Sequence, residues 1–437
     1  MKIDPKDVHS IIGKHMLADG DEMVFDLRKS KGSYVYDSKH NRKFLDFASC
    51  FASSPIGYNH PKLLDPKFQK KLAKVAVNKV TNSDFYTTEM AEFVDTFDKL
   101  VIPKYLPYLF LIEGGGPAVD NAIKAAIDWK IKRHGCILPM GDYPKVIYFN
   151  QAFHGRTGYA LSVTKTYDPR KTMYFPRFDW ICIQNPKIRF PLNDKNYKQV
   201  IRDEDRAIDQ IKNAFMMFDI AAIIIEPIQG EGGDNHFRSE FFHRLKEIVD
   251  YHKSLLIFDE IQTGVGLTGK MWAHEHHFGI EPDIMVFGKK TQVCGIMASQ
   301  KLDEIDNHVF RESSRINSTW GGNIVDMVRC QKYLEIIQEE CLIENAERMG
   351  IHLLMALNDL QFHHPSILSN ARGAGLMCAI DFPSSDIRDK VRKAAYDNGM
   401  LILGCGEKSL RFRPTLNISM KEIDEGIGIL EKSLLTV

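Results

Sequence analysis

The sequence has no apolar stretch long enough to cross a membrane as a helix. Its longest, near Ile220–Ile225, falls far short of the roughly 20 residues a bilayer requires. The first residues, Met1–Asp7, carry no apolar leader, so no secretory signal is expected. An excess of one charge is also missing: 57 basic side chains face 57 acidic ones, which argues against nucleic acid or an anionic bilayer as a partner. The eight cysteines (Cys50, Cys136, Cys182, Cys294, Cys330, Cys341, Cys378 and Cys405) contain no C-x-x-C pair. That pattern fits a reducing cytoplasmic setting, with neither a disulfide framework nor a zinc site. The cluster His274-Glu275-His276-His277 lacks the i, i+4 histidine spacing of a helical metal pair and is expected to be a polar helix end, so no metal is expected. Repeats and low-complexity segments are missing too.

A chain of 437 residues exceeds one simple core and suggests about two or three domains. Residues 32–47 predict a hairpin: Tyr34-Val35-Tyr36, a polar turn at Ser38–Arg42, then Phe44-Leu45-Asp46-Phe47. From about residue 85 to 325, helical stretches (Thr88–Leu100, Ala118–Lys132, Ile208–Phe215, Glu240–His252) alternate with short apolar runs. The runs are Leu109–Ile112, Lys145–Phe149, Ala221–Ile225, Leu255–Phe258 and Ile284–Phe287. Such alternation predicts an α/β domain of βα units around a mostly parallel sheet. After Asn323 come two long helical stretches, Val325–Glu340 and Glu344–Leu360, and Ser419-Met420-Lys421-Glu422 reads as a capping box opening the last helix. The expected division is an N-terminal segment and hairpin (1–68), a large α/β domain (69–325) and a smaller C-terminal α+β domain (326–437) that the hairpin joins.

Two strand ends carry the chemistry. The run Leu255–Phe258 stops at Asp259-Glu260, and the run Ile284–Phe287 stops at Gly288-Lys289-Lys290. One buried strand delivering an acid and another delivering a lysine suit pyridoxal 5'-phosphate: the carboxylate keeps the pyridine nitrogen protonated, and the amine holds the aldehyde as a Schiff base. Lys290 is the rival lysine, but the first residue after the strand-ending glycine is the one aimed along the strand axis. Four further segments supply other parts. Glu113-Gly114-Gly115-Gly116-Pro117-Ala118 follows a strand and opens a helix, where free N–H groups and the helix dipole favour a phosphate. Phe153-His154-Gly155-Arg156 offers a ring that can stack on a flat cofactor and a guanidinium that can fork onto a carboxylate. Glu231, in the loop Glu226–Gly233, is a carboxylate that no local pattern requires. Arg411-Phe412-Arg413-Pro414 brings paired arginines from the last domain, while Gln262 can bond the cofactor's ring hydroxyl. Taken singly, most of these segments are as well explained by turns, packing or solvated loops.

Taken together, they resemble a fold-type I, class III PLP-dependent aminotransferase along nearly the whole chain. The segments that carry the likeness are Asp46-Phe47, Gly115-Gly116, Phe153–Gly155, Glu226–Glu231, Asp259–Gln262, Gly288-Lys289, Ser318–Gly322 and Arg411–Pro414. Within the class, Phe51–Ser54, Glu113–Val119, Ala125–Lys130, Glu231–Phe237, Gly288–Gly295 and Asn317–Arg329 are similar to the lysine ε-aminotransferase branch. The resemblance implies a fold with a large, mostly parallel sheet domain and a smaller α+β domain, acting as a homodimer. It implies Lys289 as the Schiff-base lysine, Asp259 on the pyridinium nitrogen, Gln262 on the ring hydroxyl and Phe153 stacked on the ring. Gly115 and Gly116 bind the phosphate, with Thr319 from the partner subunit. Arg156 grips the α-carboxylate of the donor, Glu231 and Arg411 form a carboxylate–arginine switch, and Asn317 lines the pocket. The implied reaction moves the ε-amino group of L-lysine to 2-oxoglutarate, giving 2-aminoadipate 6-semialdehyde and glutamate. Ornithine or 4-aminobutyrate is the alternative donor, and a non-catalytic protein of the same fold the more remote one. Phe51 stands where ornithine aminotransferases carry a substrate-holding tyrosine. Gly114-Gly115 and Pro117 also depart from the Ser/Thr-Gly pair and glutamate common in the class.

Overall fold

The computed structural model describes residues 3–135 and 143–436, so Cys136 lies outside the described residues. Among the described residues sixteen strands follow in order. The first eight are β1 (Tyr34–Asp37), β2 (Arg42–Asp46), β3 (Tyr108–Ile112), β4 (Lys145–Phe149), β5 (Ile181–Ile183), β6 (Ile220–Ile225), β7 (Ile228–Gln229) and β8 (Asn235–His236). The rest are β9 (Leu255–Asp259), β10 (Ile284–Phe287), β11 (Cys294–Ala298), β12 (Ser369–Ala374), β13 (Met377–Asp381), β14 (Met400–Leu401), β15 (Leu403–Cys405) and β16 (Ser409–Phe412).

Seven of them form the central sheet, in the order β3-β11-β10-β9-β6-β4-β5. Strands β10, β9, β6, β4 and β5 run parallel to one another, and β11 lies antiparallel between β10 and β3. The apolar runs are continuous because both faces are covered. Along β4, Val146 and Tyr148 pack with the helix Gly115–His134, whereas Ile147 and Phe149 pack against the helices Asp194–Met217 and Ser239–Tyr251 on the opposite face. The same period of two splits Ile257 from Leu256 and Phe258 along β9.

The expected βα order is present, with two additions. The antiparallel β11 has no apolar–polar alternation to announce it. The helix Asp194–Met217 extends well before the expected Ile208, because its first half is mostly charged and buries only Val200, Glu204 and Ala207. Register at the β10–β11 hairpin is pinned by Gly295, which stands opposite Phe287. A Cβ there would lie 2.1 Å from the Phe110 carbonyl oxygen and 2.7 Å from the Phe287 ring.

A second, antiparallel sheet (β12-β13-β16-β15) packs with the helices Leu342–His363, Ser385–Asp397 and Met420–Leu434. The N-terminal hairpin is joined to this region through β14, where Met400 stands opposite Leu45 and Leu401 opposite Asp46 in parallel register. The capping box forms: Ser419 Oγ accepts from the Glu422 N–H, and the Glu422 carboxylate accepts from the Ser419 N–H at 2.8 Å. Among the described residues no helix is long and apolar enough to cross a membrane, and the seven cysteines there are free thiols.

Candidate active site

Four parallel strands stop on one edge of the sheet, and the residues just beyond them converge. Strand β4 leads to Phe153 and His154, β6 to Glu226, β9 ends in Asp259 and β10 leads to Lys289. This carboxyl edge of an α/β sheet is where such folds place ligands.

Beside it lies a glycine cradle. The helix Gly115–His134 begins after Gly114, whose φ of +98° belongs to glycine. A Cβ at Gly116 would sit 2.8 Å from Thr157 Oγ1. Gly155, at φ +134°, approaches so closely that its Cβ would lie 2.8 Å from the Gly116 Cα. Pro117 has no N–H to leave unmet, and the first-turn N–H groups of Gly115 and Gly116 are left without partners inside the helix.

The two lysines have different surroundings. Lys290 is buried, and its ammonium donates to the backbone oxygens of Gln262 at 2.7 Å and Ala52 at 3.5 Å. The backbone oxygen of Lys289, at φ +53°, accepts from Gln292, but its side-chain amine makes no hydrogen bond or ion pair among the described residues. Burial, with Arg411 adding to it, pulls its amine down to about 8, while the carboxylates of Asp259 and Glu226 oppose the shift. Lys289 is thus the amine kept available next to Asp259, and Lys290 is a tether.

Asp259 is buried and does not stand alone. Nδ1 of His154 lies 2.8 Å from its Oδ2, and the Ile261 N–H donates to its Oδ1 at 3.1 Å. A carboxylate only accepts, so Nδ1 carries the proton. Behind this pair sits Glu226, which accepts from the N–H groups of Phe153 and Gly230, both at 3.0 Å. Burial and then Asp259 raise its carboxyl to about 7, against the pull of His154. Glu226 therefore links the Phe153 loop to the glycine loop bearing Glu231. Sequence reasoning assigns no role to His154 or Glu226, although both stand at strand ends, the position that points to Asp259.

The arginines are inequivalent. Arg413 is fully buried and forks onto the Asp234 carboxylate, with 2.8 Å between Nη1 and Oδ2. Arg411 has only the Gln262 Oε1, at 3.4 Å from its Nη1, and its Nε is buried without a partner. The same Gln262 oxygen accepts from Arg413 at 3.1 Å. Burial pulls Arg411 below the usual guanidinium range, with Arg413 adding to the effect and Glu231 among the charges opposing it. No ion pair joins Glu231 to Arg411. Glu231 instead pairs with Lys171 and accepts from the Thr166 hydroxyl at 2.9 Å, and its Oε2 is buried and unpartnered. Lys171 also lies 5.9 Å from the centre of the Phe153 ring.

The remaining expected residues lie outward. Arg156, Asn317 and Thr319 are exposed and make no side-chain bond to Lys289, Asp259 or Arg411. The loop carrying Asn317 and Thr319 is held by the Asn82 side chain, which donates to the Gly322 oxygen at 2.8 Å, and by Ser83 on the Ser318 oxygen. Phe51, also exposed, stands in a turn in which Ser49, Cys50, Phe51 and Ala52 all have positive φ, between 39° and 64°. Four consecutive left-handed non-glycine residues are costly. They are clamped by Asp46, which accepts from the Ala48 and Ser49 N–H groups, and by Gln292, which donates to the Ser53 oxygen at 2.8 Å. The histidines of 274–277 are engaged elsewhere: His274 lies between Glu260 and Tyr105, and His276 on the Thr268 oxygen.

These residues fit pyridoxal phosphate. The cradle has room only for glycine, an unpaired amine stands across from a histidine-backed carboxylate, and His154 Nε2 and Arg411 Nε are buried with no partner. Comparison with known proteins agrees. The family model described as aminotransferase class-III matches residues 16–434. An L-lysine-epsilon aminotransferase from Streptomyces clavuligerus is 42% identical over 436 residues, covering 99% of this chain and 95% of the relative. A mitochondrial 4-aminobutyrate aminotransferase from Homo sapiens is 34% identical over 412 residues, covering 89% and 80%. The solved lysine aminotransferase from M. tuberculosis in the internal aldimine form superposes with a TM-score of 0.95 at 43% identity, covering 99% of this chain and all of that one.

Proposed function

The chain belongs to the class-III aminotransferases, whose cofactor is pyridoxal phosphate, and from that premise we propose that it transfers the ε-amino group of L-lysine to 2-oxoglutarate. The products are 2-aminoadipate 6-semialdehyde and glutamate. The observation that carries the chemistry is the unpaired, buried amine of Lys289 beside the His154-backed Asp259. Likeness to an L-lysine-epsilon aminotransferase over 99% of the chain supports the donor.

When bound, the cofactor supplies an aldehyde that takes up amino groups and a cationic ring that draws electrons from the bond being broken. Gly115 and Gly116 hold its phosphate, together with Thr319 of the partner subunit. Phe153 would cover the ring, and Gln262 would take its hydroxyl. Asp259 keeps a proton on the ring nitrogen, with His154 fixing the carboxylate's orientation. Lys289 would anchor the aldehyde and, when its amine is free, would take up the proton released from the donor's Cε. Arg156 takes the distant α-carboxylate of lysine, and Asn317 lines its path. Arg411 takes a carboxylate of the dicarboxylate acceptor, and Glu231 governs when Arg411 is open to it. The protein acts as a cytoplasmic homodimer, in keeping with its free thiols and with the exposed Phe85, Tyr86 and Trp320 near the Thr319 loop.

The test is a panel of amino donors with 2-oxoglutarate: L-lysine, L-ornithine, 4-aminobutyrate and ε-blocked lysine. L-Lysine should lead and the blocked form should fail. Faster turnover of ornithine or 4-aminobutyrate would replace the lysine assignment.

A further inference from the structure

We propose that Lys171 is a second berth for the Glu231 carboxylate, and that by holding it there Lys171 sets how readily the pocket accepts a dicarboxylate. The proposal rests on the assignment of Arg411 and Glu231 to carboxylate binding and adds a residue to it.

One anion has two cations in its neighbourhood. In this structure Glu231 gives one oxygen to Lys171 and to the Thr166 hydroxyl and leaves the other buried and unpaired. Arg411, buried to 7% exposure, pairs with no carboxylate among the described residues. Both cations act on one carboxylate, so what is gained at one is given up at the other. A buried guanidinium without an anion is an unfavourable neighbour for Arg413 and Lys289, and an incoming carboxylate relieves it. For that to happen, Glu231 must not be left as an unpaired buried charge beside the entering anion. Lys171 removes that obstacle. Its side chain is 23% exposed, so its ammonium is satisfied by water or by Glu231 with little cost either way. The segment is built for contact with the Glu231 loop. Asp168 caps the turn Pro169–Lys171, and Thr166 and Lys171 both donate to the same Glu231 oxygen, Oε1. Lys171 does not touch the reacting atoms, which makes it a positioning residue.

The experiment uses the cofactor-loaded enzyme and glutarate, an unreactive dicarboxylate, titrated by calorimetry. Lys171→Met should weaken glutarate by about tenfold or more, the size of an ordinary coupling between sites. Lys171→Arg should bind as the wild type does. In a Glu231→Gln background the same Lys171→Met change should alter affinity by less than about twofold, since independent sites add to within that margin. Unchanged glutarate affinity in Lys171→Met overturns the proposal, as does an equal loss in both backgrounds, which would mean that Lys171 touches the ligand itself. Wild-type glutarate affinity in Arg411→Lys would instead overturn the assignment of Arg411 on which the proposal stands, and because the binding needs no amino donor, neither result depends on lysine being the substrate.

Discussion

The separation of Lys289 from Lys290 is decided by what their nitrogens touch. Two carbonyl oxygens hold Lys290, while Lys289 meets only opposing fields, with burial and Arg411 against Asp259 and Glu226. Burial disfavours an ammonium, so the neutral amine is reached at a lower pH than usual. In cofactor-free protein, acylation of Lys289 by a neutral reagent should therefore be strong above about 8 and fade as pH falls through that value. Half-labelling near the ordinary lysine value of about 10.4 would show that the burial does not act on it. Lys289→Ala should remove turnover altogether. Lys290→Met should keep the covalent link on Lys289 while losing about 1–3 kcal/mol of stability, read as a lowered Tm, because two buried carbonyls lose their donor. Asp259 and Lys289 were legible in the sequence because they stand one and two steps past an apolar run, where side-chain direction follows from the strand. Lys171 was not: its contact with Glu231 spans 60 residues and depends on a turn folding back, for which no period or spacing stands as a signal.

Among the elements, the glycine cradle depends on backbone approach between a helix start and a loop. Gly155→Ala would force a Cβ against the Gly116 backbone at a φ that L residues rarely adopt, so the loop or the helix start must move. The expected result is a loss of about 2 kcal/mol or more in stability, the size typical of backbone-strain substitutions, and a disproportionate loss of cofactor affinity, read by fluorescence titration. If stability falls and cofactor affinity does not, the cradle is not the phosphate site. Most elements could be read from sequence because strands buried on both faces appear as apolar runs and helices show their spacing. Those that escaped have a physical reason. The first half of Asp194–Met217 is nearly all solvent-facing, and the left-handed Ser49–Ala52 turn is held by Asp46 just before it and by Gln292 from far along the chain.

At the scale of the whole molecule, the exposure of Thr319 beside Trp320 is what a site shared between two subunits requires. Purified mixed dimers of a Lys289→Ala chain and a Thr319→Val chain would then hold one site with both defects and one with neither. Such a dimer should show about half the wild-type rate, as two-fold symmetry dictates. A rate no better than the mean of the two parents would place Thr319 in its own subunit's site. The hydrogen bonding of the hairpin to β14 ties Leu45 and Asp46 to Met400 and Leu401, at the far end of the chain.

The β10–β11 hairpin has a consequence for which lysine is used. Both amines are spelled next to each other in one short connection, and a shift of the strand frame by a single residue would exchange their tasks, tethering the one and exposing the other. What forbids the shift is neither lysine but Gly295. Only this residue fits under the Phe110 oxygen and the Phe287 ring, and its neighbours Cys294 and Ile296 would collide there. The choice of reactive amine is thus written six residues downstream of it, in a position that has no functional group at all.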